Sequence, residues 1–192
     1  MSFYQFAKTV VKIVLKPKYK VKEEGIENIP KEGPVIICSN HISNYDPPIV
    51  GITCPRPIHF LAKEELFKNK LFAFILKHVN AFPIKRGMKD RNALRKGIEV
   101  LKEGNVLGLF PEGTRSKTGE LKRGLAGAGF FALRSQATVI PCAIVGIYKS
   151  KEPLRVIYGK PVDLEPLRES KASAQEVTDA IMDEIKKIKE NH

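Results

Sequence analysis

Short apolar runs alternate with segments of helical periodicity along the whole of this chain. Val35-Ile36-Ile37-Cys38 and Val106-Leu107-Gly108-Leu109 read as buried strands. Together with similar runs they predict strands near 34–39, 57–61, 80–85, 105–110, 138–146 and 154–159. Between them, patterns near 2–15, 47–53, 63–77, 89–103, 121–136 and 173–189 predict helices. This order argues an α/β fold, a mixed and largely parallel sheet flanked by helices. The last helix has a clear start, because Ser173 caps and Glu176 completes a capping box. Val177, Ile181, Ile185 and Ile188 then make one apolar stripe, which marks the helix as scaffold. Pro141, inside the apolar run Val139–Ala143, signals a strand edge or a bend near a pocket.

The first helical segment has a different pattern. Gln5, Lys8, Thr9, Lys12 and Lys16 share a narrow sector, while Phe3, Phe6, Ala7, Val10, Ile13 and Val14 fill a broad opposite face. Lys18, Lys20 and Lys22 follow, so residues 1–22 form an amphipathic, basic N-terminal segment. Such a helix suits the plane of a membrane interface, and it equally suits packing on a core with its lysines in water. No apolar run is long enough to span a bilayer, and Phe3–Leu15 is broken by Lys8 and Lys12. Without a cationic flank or a cleavage site it does not read as a signal peptide.

With 192 residues, 43% of them hydrophobic, the chain is expected to form one globular domain over 1–192. Its net charge of +12 points to anionic partners: lipid, phosphorylated substrates or nucleic acid. Neither aromatics interleaved with basic residues nor a recognition helix is evident, which disfavours nucleic acid. Cys38, Cys54 and Cys142 are an odd set without metal-ligand spacing. Cys38 and Cys142, in apolar strand-like runs, read as buried thiols; a reducing cytosol is the natural compartment, and no metal is expected.

Two polar stretches about seventy positions apart each follow one of the buried strands. The first is Asn40-His41-Ile42-Ser43-Asn44-Tyr45-Asp46. Asp46 can cap a helix that starts at Pro47, or it can pair with His41 as a dyad, fixing the tautomer and freeing the other nitrogen as a base. The second is Phe110-Pro111-Glu112-Gly113-Thr114-Arg115-Ser116. Gly113 allows close backbone approach, and Arg115 offers a planar fork to a phosphate. Glu112 suits holding a substrate hydroxyl or buttressing the arginine; a turn stitched by a Glu112–Arg115 salt bridge is the simpler alternative. Lys85 and Arg86, before Gly87, make a second candidate anion clamp. Gly127–Ala132 fits a relaxed dinucleotide fingerprint but does not follow a strand, so its small residues are read as allowing close helix packing. No Gly-x-Ser-x-Gly elbow is present.

These stretches, in this order, resemble the 1-acylglycerol-3-phosphate acyltransferase family of glycerophospholipid acyltransferases. The matching blocks are Asn40, His41 and Asp46; Asn80 to Arg86; Pro111 to Arg115; and Ile140-Pro141-Cys142. Asn80 stands where the family often has Gly, and it also tolerates left-handed backbone. Pro83 replaces a common aromatic. The resemblance implies transfer of a fatty acyl group from acyl-CoA or acyl carrier protein to the free hydroxyl of lysophosphatidic acid, giving phosphatidic acid in phospholipid synthesis. It implies His41 as general base and Asp46 as its orienter. Arg86 and Arg115 would hold the phosphate, with Lys85 weaker, and Glu112, Gly113 and Thr114 would shape the glycerol site. It implies no cofactor and a cytoplasmic enzyme, peripheral on the cytoplasmic membrane face. Another lysophospholipid or glycerol 3-phosphate as acceptor, or a catalytically silent module for anionic membranes, are the competing readings.

Overall fold

The computed structural model describes residues 2–85, 90–148 and 150–192. Seven strands form one sheet: β1 (Lys22–Glu24), β2 (Val35–Ser39), β3 (Ile58–Lys63), β4 (Ala81–Ile84), β5 (Val106–Leu109), β6 (Thr138–Val145) and β7 (Arg155–Tyr158). Their order is β1-β7-β6-β2-β5-β3-β4, and every neighbouring pair is parallel except β6 and β7. The helices are α1 (Phe3–Lys18), α2 (Asp46–Thr53), α3 (Lys70–His78), α4 (Arg91–Lys102), α5 (Gly127–Arg134), α6 (Glu165–Glu169) and α7 (Ala174–Glu190). The mixed, mostly parallel α/β architecture is the one the alternating pattern calls for.

The period of two along β2 divides the core. Val35 and Ile37 point to one face, where they join Leu15 of α1 and Ile49 and Val50 of α2. Ile36 and Cys38 point to the other, against Val100 and Leu101 of α4, Phe131 of α5 and Val177 and Ile181 of α7. All five β2 residues are buried, as expected of a central strand covered on both faces. Ser173 and Glu176 make the capping box at the start of α7.

Several elements depart from the sequence pattern, among them the short helix α6, which no periodic pattern announced. β1 was not expected, because Lys-Glu-Glu carries no apolar signal; its backbone simply adds a parallel edge to β7. The expected helix near 63–77 is split into a 3₁₀ turn at Glu64–Phe67 and α3, which restarts where the Asn69 side chain caps Leu71 and Phe72. The helix expected near 121–136 begins only at Gly127. The backbone N–H groups of Lys122 and Leu125 are bonded instead to Glu112 and Pro111, so tertiary partners compete with the helix there. Asn80 does take the left-handed conformation, φ 61°, between α3 and β4.

Gly129 explains the small-residue cluster. It lies where α5 meets α7, and its N–H donates to Thr178 Oγ1 at 2.9 Å. A Cβ at this position would overlap the Ala174 carbonyl of α7. Gly51, inside α2, has open space around it. We expect opposite signs from one substitution. Gly129→Ala should lower unfolding free energy by about 1–3 kcal/mol or more, and Gly51→Ala should raise it by about 0.5–1 kcal/mol. Urea denaturation of both variants checks this.

Candidate active site

Adjacent parallel strands deliver the two polar stretches to one edge of the sheet. Cys38 of β2 lies opposite Leu109 of β5, so Asn40–Asp46 and Phe110–Ser116 leave side by side. Asn40 is held by its side chain. Its amide donates to the Ile144 carbonyl at 3.0 Å and accepts from the Ile144 N–H at 2.7 Å, which prolongs the β2–β6 pairing by one step.

His41 is clamped from the second stretch. Its N–H donates to Glu112 Oε1 at 2.8 Å, its carbonyl accepts from the Ser116 N–H at 2.7 Å, and its ring stacks on Phe110 with centroids 4.3 Å apart. Nδ1 lies 2.7 Å from Asp46 Oδ2. That same oxygen accepts the N–H groups of Ile42 at 2.6 Å and Ser43 at 2.7 Å. Occupied by two backbone donors, Oδ2 accepts rather than donates toward the ring, so Nδ1 carries the proton of that bond. Nε2 is then the basic nitrogen, and it has no hydrogen-bond partner among the described residues. Asp46 is wholly buried in the first turn of α2, where the positive helix end favours its charge. Its other oxygen, Oδ1, accepts from the Tyr148 hydroxyl at 2.7 Å.

Glu112, expected at the glycerol site or against Arg115, is buried, with Oε1 held by the His41 N–H. Its second oxygen accepts the Lys122 N–H at 3.1 Å. The carboxylate thus ties the His41 backbone to the far end of its own loop. A Glu112–Arg115 salt bridge is not among the ion pairs of the described residues. Gly113 has φ 66°, a left-handed backbone state that favours glycine. Thr114 and Arg115 are exposed on this loop, and the Arg115 carbonyl accepts from Lys122 Nζ at 2.9 Å. Lys85 lies beyond β4 and faces Glu64 at 3.7 Å, while Arg86 lies outside the described residues.

The cysteines take no part in this arrangement. All three are buried, and burial pushes the Cys142 thiol up to about 12 and Cys38 higher still. No group of three His, Cys, Asp or Glu side chains among the described residues converges as a metal site. Sequence reasoning missed Tyr148 and the part played by the Asn40 amide. Neither has a local signal, since both contacts span more than a hundred positions.

Residues 20–145 match the family model described as Acyltransferase. A 1-acyl-sn-glycerol-3-phosphate acyltransferase from Bacillus subtilis is 32% identical over 194 residues, covering 96% of each chain. The chain belongs to the 1-acylglycerol-3-phosphate acyltransferase family. A namesake from Borreliella burgdorferi is 34% identical over 127 residues, 65% of this chain and 51% of that one. The crystal structure of the 1-acyl-sn-glycerophosphate (LPA) acyltransferase from Thermotoga maritima superposes with a TM-score of 0.72 at 28% identity, covering 96% of this chain and 85% of that one. Within this acyltransferase fold, the family's histidine block and Pro-Glu-Gly-Thr-Arg block are the two stretches joined by the His41–Glu112 bond.

Proposed function

We propose that this acyltransferase moves a fatty acyl group from a thioester, on coenzyme A or acyl carrier protein, to the free hydroxyl of lysophosphatidic acid. The observation that carries the mechanism is the buried His41–Asp46 pair with Nε2 left unpartnered beside the Arg115 loop. Nε2 removes the hydroxyl proton as the oxygen attacks the thioester carbonyl. The tetrahedral intermediate collapses, the C–S bond breaks, and the imidazolium returns the proton to the leaving thiolate. The products are phosphatidic acid and a free thiol. The burial of every cysteine supports direct transfer without an acyl-cysteine. Arg115 binds the acceptor phosphate, and Gly113 and Thr114 border the glycerol. Arg86 is retained as a second phosphate ligand on its motif position alone. A base, an orienting carboxylate and two substrates complete the reaction without a cofactor.

The acceptor is a lipid, and the surface supports a peripheral seat on the cytoplasmic membrane face. No helix of the described residues is long and apolar enough to cross a membrane. α1 meets the body through Leu15, which is buried, and through Tyr4, whose hydroxyl accepts from the Ile58 N–H. Lys8 donates to the Cys54 carbonyl, so one residue of the polar sector faces inward. Phe6, Val10, Ile13 and Val14 stay exposed, Ile13 at 68%. α3 adds Leu71, at 69%, and Phe72 and Phe74, and the Phe3 and Phe74 rings meet at 6.0 Å. The helix thus serves both readings of its sequence: one seam packs, and a broad apolar face remains for lipid.

Thiol release from acyl-CoA, with and without lysophosphatidic acid, tests the reaction. His41→Ala should fold and lose about 10²–10⁴-fold in turnover; near-normal turnover would remove the base from the mechanism. Arg115→Ala should weaken use of the phosphorylated acceptor by about 1.5–3 kcal/mol, with little change for the acyl donor. Lys should rescue poorly because it lacks the fork. Equal losses on a phosphate-free acceptor would exclude phosphate binding. The membrane seat is tested with Phe6→Ser/Ile13→Ser, since removing all of α1 would also remove Leu15 from the core. Lysines near an anionic surface add roughly 1 kcal/mol each and fade with salt. The double variant should therefore still co-sediment with anionic phospholipid vesicles at low salt and be released at high salt. Retention equal to the parent at high salt would put the lipid contact elsewhere.

A further inference from the structure

The Asp46 carboxylate is fully buried, and its two oxygens are served unequally. Oδ2 accepts from His41 Nδ1 and from two backbone N–H groups. Among the described residues Oδ1 has a single donor, the Tyr148 hydroxyl, 2.7 Å away. A buried carboxylate oxygen stripped of its donor is costly, and it frees the group to rotate. Rotation about the Cβ–Cγ bond would exchange the two oxygens and disturb the bond that orients the imidazole.

Tyr148 is itself held in place. It lies in the loop after β6, and its ring meets Tyr19, the C-cap of α1, edge-on at 5.0 Å and Tyr45, at the N-cap of α2, at 5.9 Å. The Lys18 ammonium lies over the Tyr19 and Tyr45 rings, at 5.2 and 5.7 Å. Burial first, and then the negative charge of Asp46, hold the Tyr148 hydroxyl well above its ordinary pKa, so it remains a proton donor throughout the neutral range. The other titratable groups around the dyad are Tyr19, Tyr45, Lys18, Glu112 on the His41 backbone, and Cys142.

We infer that Tyr148 is a positioning residue for acyl transfer: its hydroxyl locks the Asp46 carboxylate in the rotation that presents Oδ2 to His41. It does not touch the reacting atoms. It acts through Asp46, and it also draws charge from the carboxylate, which moderates the hold of Asp46 on the imidazolium. The inference rests on the reading of His41 as the base.

Tyr148→Phe removes one oxygen and keeps the ring between Tyr19 and Tyr45, so circular dichroism should be unchanged. Turnover should fall about tenfold, the share of one charge-assisted hydrogen bond, with the KM for lysophosphatidic acid unchanged. The carboxylate then faces the imidazolium with one donor fewer, so the protonated ring is held more strongly. The acidic limb of the kcat/KM profile, and the His41 titration followed by NMR, should both move to higher pH by roughly half a unit. In an Asp46→Asn background the Phe substitution should cost nothing more, because the partner it acts through is gone. A Phe variant with parental turnover and an unmoved His41 titration overturns the inference. So does a full additional loss on top of Asp46→Asn, and so does a raised KM at constant kcat, which would put Tyr148 against the substrate. The NMR titration needs no turnover, so it distinguishes failure of this coupling from failure of His41 as base, which His41→Ala reports alone.

Discussion

A carboxylate can be buried without loss only if donors replace the water around it, and Asp46 meets that condition from three directions. The chain just before α2 supplies the Ile42 and Ser43 N–H groups, the imidazole supplies Nδ1–H, and the loop after β6 supplies Tyr148. Much of the local architecture follows. The turn after β2 must curl back on itself so that its N–H groups face Asp46. α2 must begin at Asp46, where Pro47 and Pro48 in its first turn demand no backbone donor bonds. The carboxylate fixes the His41 tautomer and leaves Nε2 without a hydrogen-bond partner among the described residues.

Glu112 extends the same principle to the second loop. It is also buried, and it too is satisfied by backbone N–H groups, those of His41 and Lys122. A carboxylate placed between two backbone segments sets their spacing more tightly than an exposed ion pair would, because both bonds are charge-assisted and sheltered from water. The Arg115 guanidinium is thereby left outside the loop's internal bonding and exposed. The histidine is held at its backbone and ring while the cation is left accessible, and two buried acids divide that work.

The surface follows a different logic. α1 and α3 carry large apolar side chains that the body leaves uncovered, although its own core is well filled. A chain whose acceptor partitions into a bilayer gains from keeping such a face, at some risk of self-association. Tyr19, at the end of α1, connects this face to the dyad. Tyr19 caps α1 and packs on Tyr148, so the helix with the exposed apolar face also braces the hydroxyl behind Asp46.

Much of this was legible in the order of residues. Alternating apolar runs and helical stripes specify a layered α/β fold, since burial of a strand or of one helix face is written into local periodicity. The left-handed turn at Asn80 and the capping box at Ser173 are equally local. His41 and Asp46 stand five positions apart, so their pairing was within reach of motif reading. What sequence could not assign was any contact made by long-range closure. The edge strand β1 has no apolar signal and exists only because β7 offers it backbone partners. α5 starts late because the Lys122 and Leu125 N–H groups are drawn to the Glu112 loop. The bonds of Glu112 to the His41 and Lys122 backbone had no local signal, because only the packing of β2 beside β5 brings the His41 N–H near. Tyr148 carries no local signal, and only β6, set beside β2, brings it over Asp46. Local patterns determined which elements form and which side chains have chemistry to offer. Strand order decided which of those side chains meet, because a parallel sheet joins neighbours that the chain holds far apart.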